Sequence, residues 1–352
     1  MRREGTLVKE QSDNTCIDFV LTWVDGSDPA WQTEKARYSK NDGEGLPSLQ
    51  DNDRARYEDW GLLKYWFRGV EAFAPWVNKI HFVTWGHVPS WLDTEHPRLN
   101  IVKHEDFIPA EYLPTFSSHP IELNFHRIKG LSEQFVYFND DMFLIDKTKA
   151  KDFFDRGLPR ATAGLSPRGV HKGDWLYAPL NNIAIINEHF QLRSSVIPNL
   201  RKWFYGGYGQ TNFLNLIMLA FPAFYGFNEY HLPNSFLKST YEEVWTKEEE
   251  VLKEASSHRF RHHHDVSQWL MENWQFASGT FMPRSSKFGK VFQLSGDISK
   301  SLPQLYDYIT KQQGKIVCVN DGDLTSEQVE VAKSTVHEAF GKLLPQKSSF
   351  EK

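Results

Sequence analysis

A short apolar run that ends in three polar residues constrains this chain most. Residues 135–138 read Phe-Val-Tyr-Phe, which is typical of a buried strand, and Asn139, Asp140 and Asp141 follow directly. In open α/β sheets, ligands bind just beyond the carboxyl ends of the strands. Adjacent carboxylates there suit Mg²⁺ or Mn²⁺, because a hard cation takes one or two carboxylates and keeps substrate phosphates as its other ligands. The alternative is an ordinary turn, because Asn and Asp both favour turns.

The same pattern, an apolar run followed by acids, occurs at two further places. The run at 17–23 is followed by Asp25 and Asp28, and the run at 316–319 is followed by Asn320, Asp321 and Asp323. Turn formation accounts for any one of these strand ends. Three of them together favour a metal and phosphate site at one edge of a sheet.

Strands that alternate with helices predict an α/β, Rossmann-like fold, with a mostly parallel sheet, helices on both faces and the site at the carboxyl ends of the strands. Apolar runs predict strands at 17–23, 79–85, 99–103, 183–186 and 316–319, besides the strand before Asp140. Periodicity and caps predict helices at 59–73, 120–128, 241–255, 266–276 and 325–344, and a buried helix at 212–219.

The domain organisation follows from these elements. We expect a flexible N-terminus over 1–15, one catalytic domain over 16–345 and a loose C-terminal tail over 346–352. A helical and irregular insertion is expected at about 145–280, and the polar, glycine-rich stretch 40–53 predicts a mobile loop.

Composition limits the partners and the compartment. The net charge of −5 gives no general basic field, so nucleic acid is not an expected partner. Two cysteines, Cys16 and Cys318, do not make a disulfide framework, which favours the cytoplasm. No apolar run reaches transmembrane length, so any membrane association would be peripheral, at the inner face of the membrane, through capsule machinery or a lipid-linked substrate.

Several motifs, in order, resemble the signature blocks of one family. The first block is residues 17–28, Ile-Asp-Phe-Val-Leu-Thr-Trp-Val-Asp-Gly-Ser-Asp. Later blocks are residues 56–68, 74–84, 97–109, 113–133, 230–233, 259–262 and 317–322. Together they resemble the stealth proteins, a family of sugar-1-phosphate transferases. That family includes bacterial capsule and exopolysaccharide phosphotransferases and the animal enzyme that tags lysosomal glycoproteins with N-acetylglucosamine-1-phosphate.

Two departures from the family pattern bear on the donor. Trp60, Gly61 and Leu62 stand where more polar residues are expected, and residues 85–87, Trp-Gly-His, follow the second strand in place of a Thr-Asp or Thr-Asn turn. These differences leave the identity of the sugar open.

The resemblance implies transfer of a sugar-1-phosphate from a UDP-linked hexose or N-acetylhexosamine to a hydroxyl of an oligo- or polysaccharide, with release of UMP. It implies His231 as general base and Arg261 as the cation that stabilises phosphoryl charge. Asp140, Asp141 and Asp321 are the candidate ligands of Mg²⁺ or Mn²⁺. The candidate substrate-binding residues are Trp23, Asp25, Asp59, Arg68, Arg127, Asn139 and Asn320.

Each candidate also has an ordinary structural interpretation. Trp23 is alternatively a buried core residue, and the strand-end acids are alternatively turn caps. Arg127 alternatively forms a salt bridge with Glu122 or Glu133. Lys64 and Arg68 share one helix face, and their alternative interpretation is that they are simply exposed to solvent.

Two other functions also stay open at this point. One is a metal-dependent glycosyltransferase that forms a glycosidic bond and releases UDP, because strand-end carboxylates serve both reactions. The other is a carbohydrate-binding or scaffold protein without catalysis, which the 12 Trp and 26 Phe allow.

Overall fold

A five-stranded sheet forms the centre of the molecule. The computed structural model describes residues 16–39, 60–169, 177–322 and 324–352. The central sheet contains β1 (Ile17–Thr22), β2 (Ile80–Thr84), β3 (Leu99–Lys103), β4 (Gln134–Phe138) and β8 (Asn234–Leu237) in the order β3-β2-β1-β4-β8. The first four of these strands are parallel and β8 is antiparallel to β4. The predicted α/β class with a mostly parallel sheet is confirmed.

Two smaller sheets extend this framework. One has the order β10-β11-β5 and the other has the order β6-β7-β9. Their strands are β5 (Met142–Leu144), β6 (Phe154–Asp155), β7 (Leu158–Ala161), β9 (Met282–Pro283), β10 (Gly289–Leu294) and β11 (Ile316–Asp321). The sheet with β5 matters for the site, because β5 continues directly from β4 and pairs antiparallel with β11.

Helices cover both faces of the central sheet. They are α1 (Pro29–Ser39), α2 (Leu63–Phe73), α3 (Ser118–Leu123), α4 (Tyr177–His189), α5 (Leu192–Val196), α6 (Leu200–Trp203), α7 (Thr211–Met218), α8 (Lys238–Lys247), α9 (Glu249–Ser257), α10 (Trp269–Ser278), α11 (Ser301–Thr310) and α12 (Ser326–Leu343). Short 3₁₀ turns complete the connections. None of the helices in the described ranges is long and apolar enough to cross a membrane.

Side-chain alternation along the strands divides the core into two. Phe19 and Leu21 of β1 pack with α2, α11 and α12 on one face of the sheet, and Val20 packs with α4, α8 and α10 on the other. The two cores therefore share one sheet as a common wall.

Four predicted elements differ from the structure, and one of them is the helix at 241–255, which is divided at Glu248 into α8 and α9. Residues 183–186 belong to helix α4, because buried Ala178, Asn182 and Ile186 recur at helical spacing. Residues 120–128 form the short helix α3 and then a 3₁₀ turn at Phe125–Arg127. The helix at 212–219 exists as α7 but is not buried, since Phe213 and Leu216 are exposed.

The C-terminal segment 346–352 is packed, so the prediction of a loose tail was wrong. Phe350 is buried against Phe67, with 5.3 Å between ring centroids. Glu351 forms a bidentate ion pair with Arg68, with N–O distances of 2.7 and 2.8 Å. The buried Phe350 ring and the largely buried ion pair of Glu351 hold this segment in place, although its composition alone predicts mobility. The predicted flexible regions 1–15 and 40–53 lie outside the described residues.

Candidate active site

The acidic turn 139–141 connects the central sheet to the smaller sheet that contains β11. It leaves β4 at its carboxyl end, and the Met142 N–H donates to the Asn139 carbonyl at 3.2 Å. The Val319 N–H of β11 donates to the Asp141 carbonyl at 2.9 Å. The turn is therefore fixed on both sides at the sheet edge where ligands bind in open α/β folds.

One oxygen of Asp141 accepts three hydrogen bonds. Oδ2 receives them from His231 Nε2 at 3.0 Å, Cys318 Sγ at 3.2 Å and Asn320 Nδ2 at 3.2 Å. Because a carboxylate only accepts, the His231 proton lies on Nε2 and leaves Nδ1 as the other ring nitrogen. The other oxygen, Oδ1, is buried and has no hydrogen-bond partner in the described part of the chain.

Asp141 and His231 stabilise each other's charged forms. Burial alone would raise the pKa of Asp141, but the charge and hydrogen bond of His231, with those of Cys318 and Asn320, hold it below its usual range. Burial alone would lower the pKa of His231, yet the charge and hydrogen bond of Asp141 outweigh that effect and raise it. The result is an imidazole that is a stronger base than usual, oriented by a carboxylate.

The carboxylate oxygens at the acidic turn suit a hard cation, whereas the neighbouring thiol does not. The ligand atoms of Asp141, His231 and Cys318 lie within 4.8 Å of one another. Burial and the nearby Asp141 carboxylate raise the pKa of the Cys318 thiol well above its usual value, so this sulfur stays protonated and is a poor metal ligand. The unpartnered Oδ1 of Asp141 and the exposed carboxylate of Asp140 are the oxygen ligands that Mg²⁺ or Mn²⁺ prefers.

Strand alternation separates the residues predicted at the end of β11. Cys318 and Asn320 are two residues apart and both contact Asp141. Asp321 alternates to the opposite face of the strand, so its role as a metal ligand stays a prediction. Asp323 lies outside the described residues.

Arg261 lies half-buried in the loop 258–265, between α9 and α10. Buried Asp265 organises this loop, since its carboxylate accepts from His258 Nδ1 at 2.7 Å and from His119 Nδ1 at 3.0 Å. It also accepts from the His262 N–H at 2.9 Å. Placement of the Arg261 guanidinium on a substrate phosphate stays a prediction, and Asp265 is the residue that would hold its loop.

The residues predicted after β1 have structural partners. Trp23 is buried, with its ring 5.7 Å from that of Phe82, although its Nε1 has no partner among the described residues. Asp25 Oδ1 accepts from the Ser27 N–H at 2.9 Å. Asp28 Oδ1 caps α1 by accepting from the N–H groups of residues 30 and 31. Turn formation and capping thus account for both acids, and a donor-binding role for Trp23 and Asp25 stays a prediction.

The other predicted substrate-binding residues have the following positions. Arg68 is held by Glu351 and also donates to the Leu344 carbonyl at 3.0 Å. Arg127 donates to Asn124 Oδ1 at 2.9 Å and lies over the Trp245 ring at 4.6 Å, in place of the salt bridge considered above. Asp59 lies outside the described residues.

Two contributors to the site were not predicted as such. The spacing of Cys318 and Asn320 places both on one strand face, so the Cys318 contact with Asp141 was accessible from the sequence. Asp265 forms a hydrogen bond with His119, which is 146 residues away in the sequence, so no local sequence pattern predicts that contact. The first signal is local and the second exists only in the folded chain.

The chain is an α/β protein whose candidate site lies at the carboxyl edge of a mostly parallel sheet. The family models for Stealth protein CR1, conserved region 1, and Stealth protein CR2, conserved region 2, match residues 17–43 and 56–161. The capsular polysaccharide phosphotransferase WcwK of Streptococcus pneumoniae is 43% identical over 338 residues, covering 96% of this chain and 99% of that protein. The exopolysaccharide phosphotransferase cps2G of Lactiplantibacillus plantarum is 36% identical over 337 residues, covering 96% of each protein.

The chain therefore belongs to the Stealth family of bacterial phosphotransferases and is itself a phosphotransferase. This confirms the resemblance seen in its motifs. A solved structure of the galactosyltransferase LgtC, in complex with donor and acceptor sugar analogs, is similar with a TM-score of 0.38 at 11% identity. That similarity covers 94% of this chain and 98% of the solved one, and at this level it supports no inference about function.

Proposed function

We propose that this enzyme transfers a sugar-1-phosphate from a UDP-linked hexose or N-acetylhexosamine to a hydroxyl of a glycan, in capsule or exopolysaccharide synthesis. The observation that carries the proposal is the Asp141–His231 hydrogen bond of 3.0 Å at the end of β4. One carboxylate oxygen orients the base and the other is left for a cation. Such a site can both deprotonate a hydroxyl and hold a diphosphate.

His231 is the proposed general base. Its Nε2–H is held by Asp141, so Nδ1 is the nitrogen that can take the proton of the acceptor hydroxyl. The resulting oxygen attacks the phosphorus that carries the sugar, and a new P–O bond forms. The P–O bond to the bridging oxygen of the diphosphate breaks, and UMP leaves with that oxygen. The anomeric carbon is not attacked, so its configuration is retained.

Charge on the diphosphate needs cations. Arg261 is proposed to bind phosphoryl oxygens, for which the planar guanidinium is well shaped. Asp140 and Asp141 are proposed to hold Mg²⁺ or Mn²⁺, which would neutralise the diphosphate when bound. Asn139 and Asn320 are proposed to orient phosphate oxygens or the neighbouring acids, and Asn320 already donates to Asp141 at 3.2 Å.

The acceptor and the compartment are part of the proposal. The relatives are named for capsular polysaccharide and exopolysaccharide, so we expect a free or lipid-linked glycan as acceptor. Neither Cys16 nor Cys318 forms a disulfide, which accords with the cytoplasm. A lipid-linked acceptor would bring the enzyme to the inner face of the membrane.

Product analysis by phosphorus NMR tests the reaction. The full chain would be incubated with Mg²⁺, several UDP-sugars and an oligosaccharide acceptor, with and without a chelator. We expect UMP and a new phosphodiester signal, both lost with the chelator and in an Asp140→Ala variant that remains folded. Release of UDP without a phosphodiester would instead make the chain a glycosyltransferase. Full activity of Asp140→Ala would remove that residue from the proposed cation site.

A further inference from the structure

Exposed large hydrophobic side chains are concentrated in one stretch of this chain. Ten such side chains occur among the described residues, and eight of them lie between residues 197 and 225. We call these eight the 197–225 face: Ile197, Leu200, Tyr205, Phe213, Leu216, Ile217, Phe221 and Tyr225. Scattered exposed apolar residues are normal, but a concentrated set marks a surface that something covers.

Helix α7 presents its apolar side to solvent. Phe213, Leu216 and Ile217 are 70%, 60% and 43% exposed, and their spacing places them on one side of the helix. On the opposite side, buried Asn215 accepts from the Leu165 N–H at 2.7 Å and donates to the Trp203 carbonyl at 2.9 Å. The buried hydrogen bonds of Asn215 thus fix the orientation of α7, and this orientation exposes the apolar side of the helix to solvent.

Two contacts join α7 and its end to α5 and to the segment that follows α6. Asn212 Nδ2 at the start of α7 donates to the Tyr205 carbonyl at 2.8 Å. Arg193 Nε on α5 donates to the Leu219 carbonyl at 3.3 Å, just after α7. The exposed residues of these short helices therefore belong to one connected region of the molecule.

The charge of this region is opposite in sign to that of the whole chain. Residues 189–228 contain no Asp or Glu, although at the average density of 45 acids in 352 residues about five would be expected. Arg193 and Arg201 are exposed within the same stretch. An apolar surface accompanied by cations and free of acids in its own sequence, on a protein of net charge −5, complements a surface that is both apolar and anionic.

We propose that the 197–225 face docks on the surface of a membrane that contains anionic lipids. The apolar side chains would enter the boundary between headgroups and acyl chains, and Arg193 and Arg201 would meet lipid phosphates. Four of the eight side chains are aliphatic, which favours a lipid surface over a glycan stacked on aromatic rings. Two copies of the same basic surface would repel each other, which disfavours a dimer.

Vesicle binding tests this surface without donor or acceptor, so its result is independent of the proposed reaction. The full chain would be sedimented with vesicles of phosphatidylcholine alone or with 30% phosphatidylglycerol, at low and high salt. We expect binding to the anionic vesicles that weakens with salt. The double variant Phe213→Ser with Leu216→Ser should reduce the bound fraction at least tenfold, and Arg201→Glu should reduce it on anionic vesicles only.

Val88→Ser and Val331→Ser are matched controls, because both side chains are exposed and lie outside the face. They should bind as the unaltered chain does, and circular dichroism should show that every variant is folded. Failure of the unaltered chain to bind either vesicle would overturn the proposal. So would binding that survives in the Phe213→Ser, Leu216→Ser variant, or a dimer in ultracentrifugation that only this variant disrupts.

Discussion

At Asp141, one carboxylate has two differently used oxygens. Oδ2 accepts from an imidazole, a thiol and an amide, while Oδ1 is buried without a partner in the described structure. A buried carboxylate oxygen without a partner is costly, so it is expected where a ligand completes it. Under the proposed function, Oδ2 would orient His231 as the base and Oδ1 would be left for a cation, so one residue would serve both roles.

His231→Asn is expected to reduce turnover far more than donor affinity. Asparagine can still donate to Asp141, but it cannot accept a proton near neutral pH, so kcat should fall by about 10²–10⁴. The KM for the UDP-sugar should change by no more than about threefold, because the base acts in the transition state. Steady-state kinetics with UMP detection would measure both values. His189→Asn is the control, since His189 pairs with Glu248 on the surface, and an unchanged kcat in His231→Asn would exclude a base role.

Arg68→Ala is expected to lower stability and leave donor binding unchanged. Its ion pair with Glu351 is largely buried, and loss of one partner leaves the other charge uncompensated, at a cost of about 3 kcal/mol. Urea unfolding would measure the free energy of unfolding. Lys64→Ala is a control on the same helix, where the ammonium lies over the Tyr65 ring at 5.2 Å. A raised donor KM with unchanged stability would restore the substrate-binding interpretation of Arg68.

The sequence predicted candidate site residues mainly where the signal is local. Asn139, Asp140 and Asp141 follow an apolar run directly, and the structure places His231 and Asn320, both predicted as candidates, within hydrogen-bond distance of Asp141. Arg68 shows where this reasoning stops. Its partner Glu351 lies 283 residues away, in a segment whose composition predicts a loose tail, so only the folded chain shows that the pair exists.

Among the elements, buried strands were the most predictable. Residues 80–84 are all buried and mostly apolar, because helices cover both faces of the sheet, and such composition indicates a strand. Short apolar runs are ambiguous when they lie inside helices, which is why residues 183–186 of α4 were predicted as a strand. Helix α7 was predicted to within one residue at each end, but as a buried helix, because composition does not reveal which side of a helix has a partner.

The loop 258–265 behaves as one element that Asp265 holds together. Besides the contacts of its carboxylate, Asn181 Nδ2 donates to the carbonyls of His263 and Asp265 at 2.7 and 2.8 Å. The Phe116 N–H donates to the Arg259 carbonyl at 2.8 Å. The loop that carries Arg261 is therefore tied to α4 and to the segment before α3.

Asp265→Asn is expected to destabilise the protein most near neutral pH. Although burial opposes its charge, hydrogen bonds from His119 and His258 lower the pKa of Asp265 from 3.8 to about 2. A lowered folded-state pKa stabilises the fold above pH about 4, and this contribution of about 2 kcal/mol disappears between pH about 4 and 2. Urea unfolding at several pH values should show a deficit that is nearly constant above pH about 5 and shrinks as the pH falls from about 4 toward 2.

Asp155→Asn is a suitable control for this loop, because Asp155 pairs only weakly with an exposed lysine, Lys151, at 3.7 Å. Turnover should also fall in Asp265→Asn, since Arg261 would lose its fixed position. A pH-independent deficit would contradict the electrostatic role of Asp265, and unchanged turnover would contradict its role in positioning Arg261.

At the scale of the whole molecule, one sheet serves two cores and one site. Phe138 of β4 belongs to the core with α2, α11 and α12, whereas Phe135 belongs to the core with α4, α8 and α10. The acidic turn begins where this strand ends, so the position of Asp141 depends on the packing of both cores. The helical insertion at about 145–280 is therefore an integral part of the fold, because its apolar residues pack against β4, the strand that leads to the candidate site.

We therefore expect the described part of the chain, including its packed C-terminal segment, to unfold in one cooperative transition. Phe135→Ala and Phe138→Ala each remove a fully buried ring from a different core, at a cost of about 3–5 kcal/mol. Each variant should shift the whole melting curve, with near-ultraviolet and far-ultraviolet circular dichroism giving the same midpoint. The surface substitution Val331→Ser should leave the midpoint almost unchanged, because Val331 is exposed. Two separate transitions, with each variant shifting only one of them, would show that the cores are independent folding units and that β4 does not couple them.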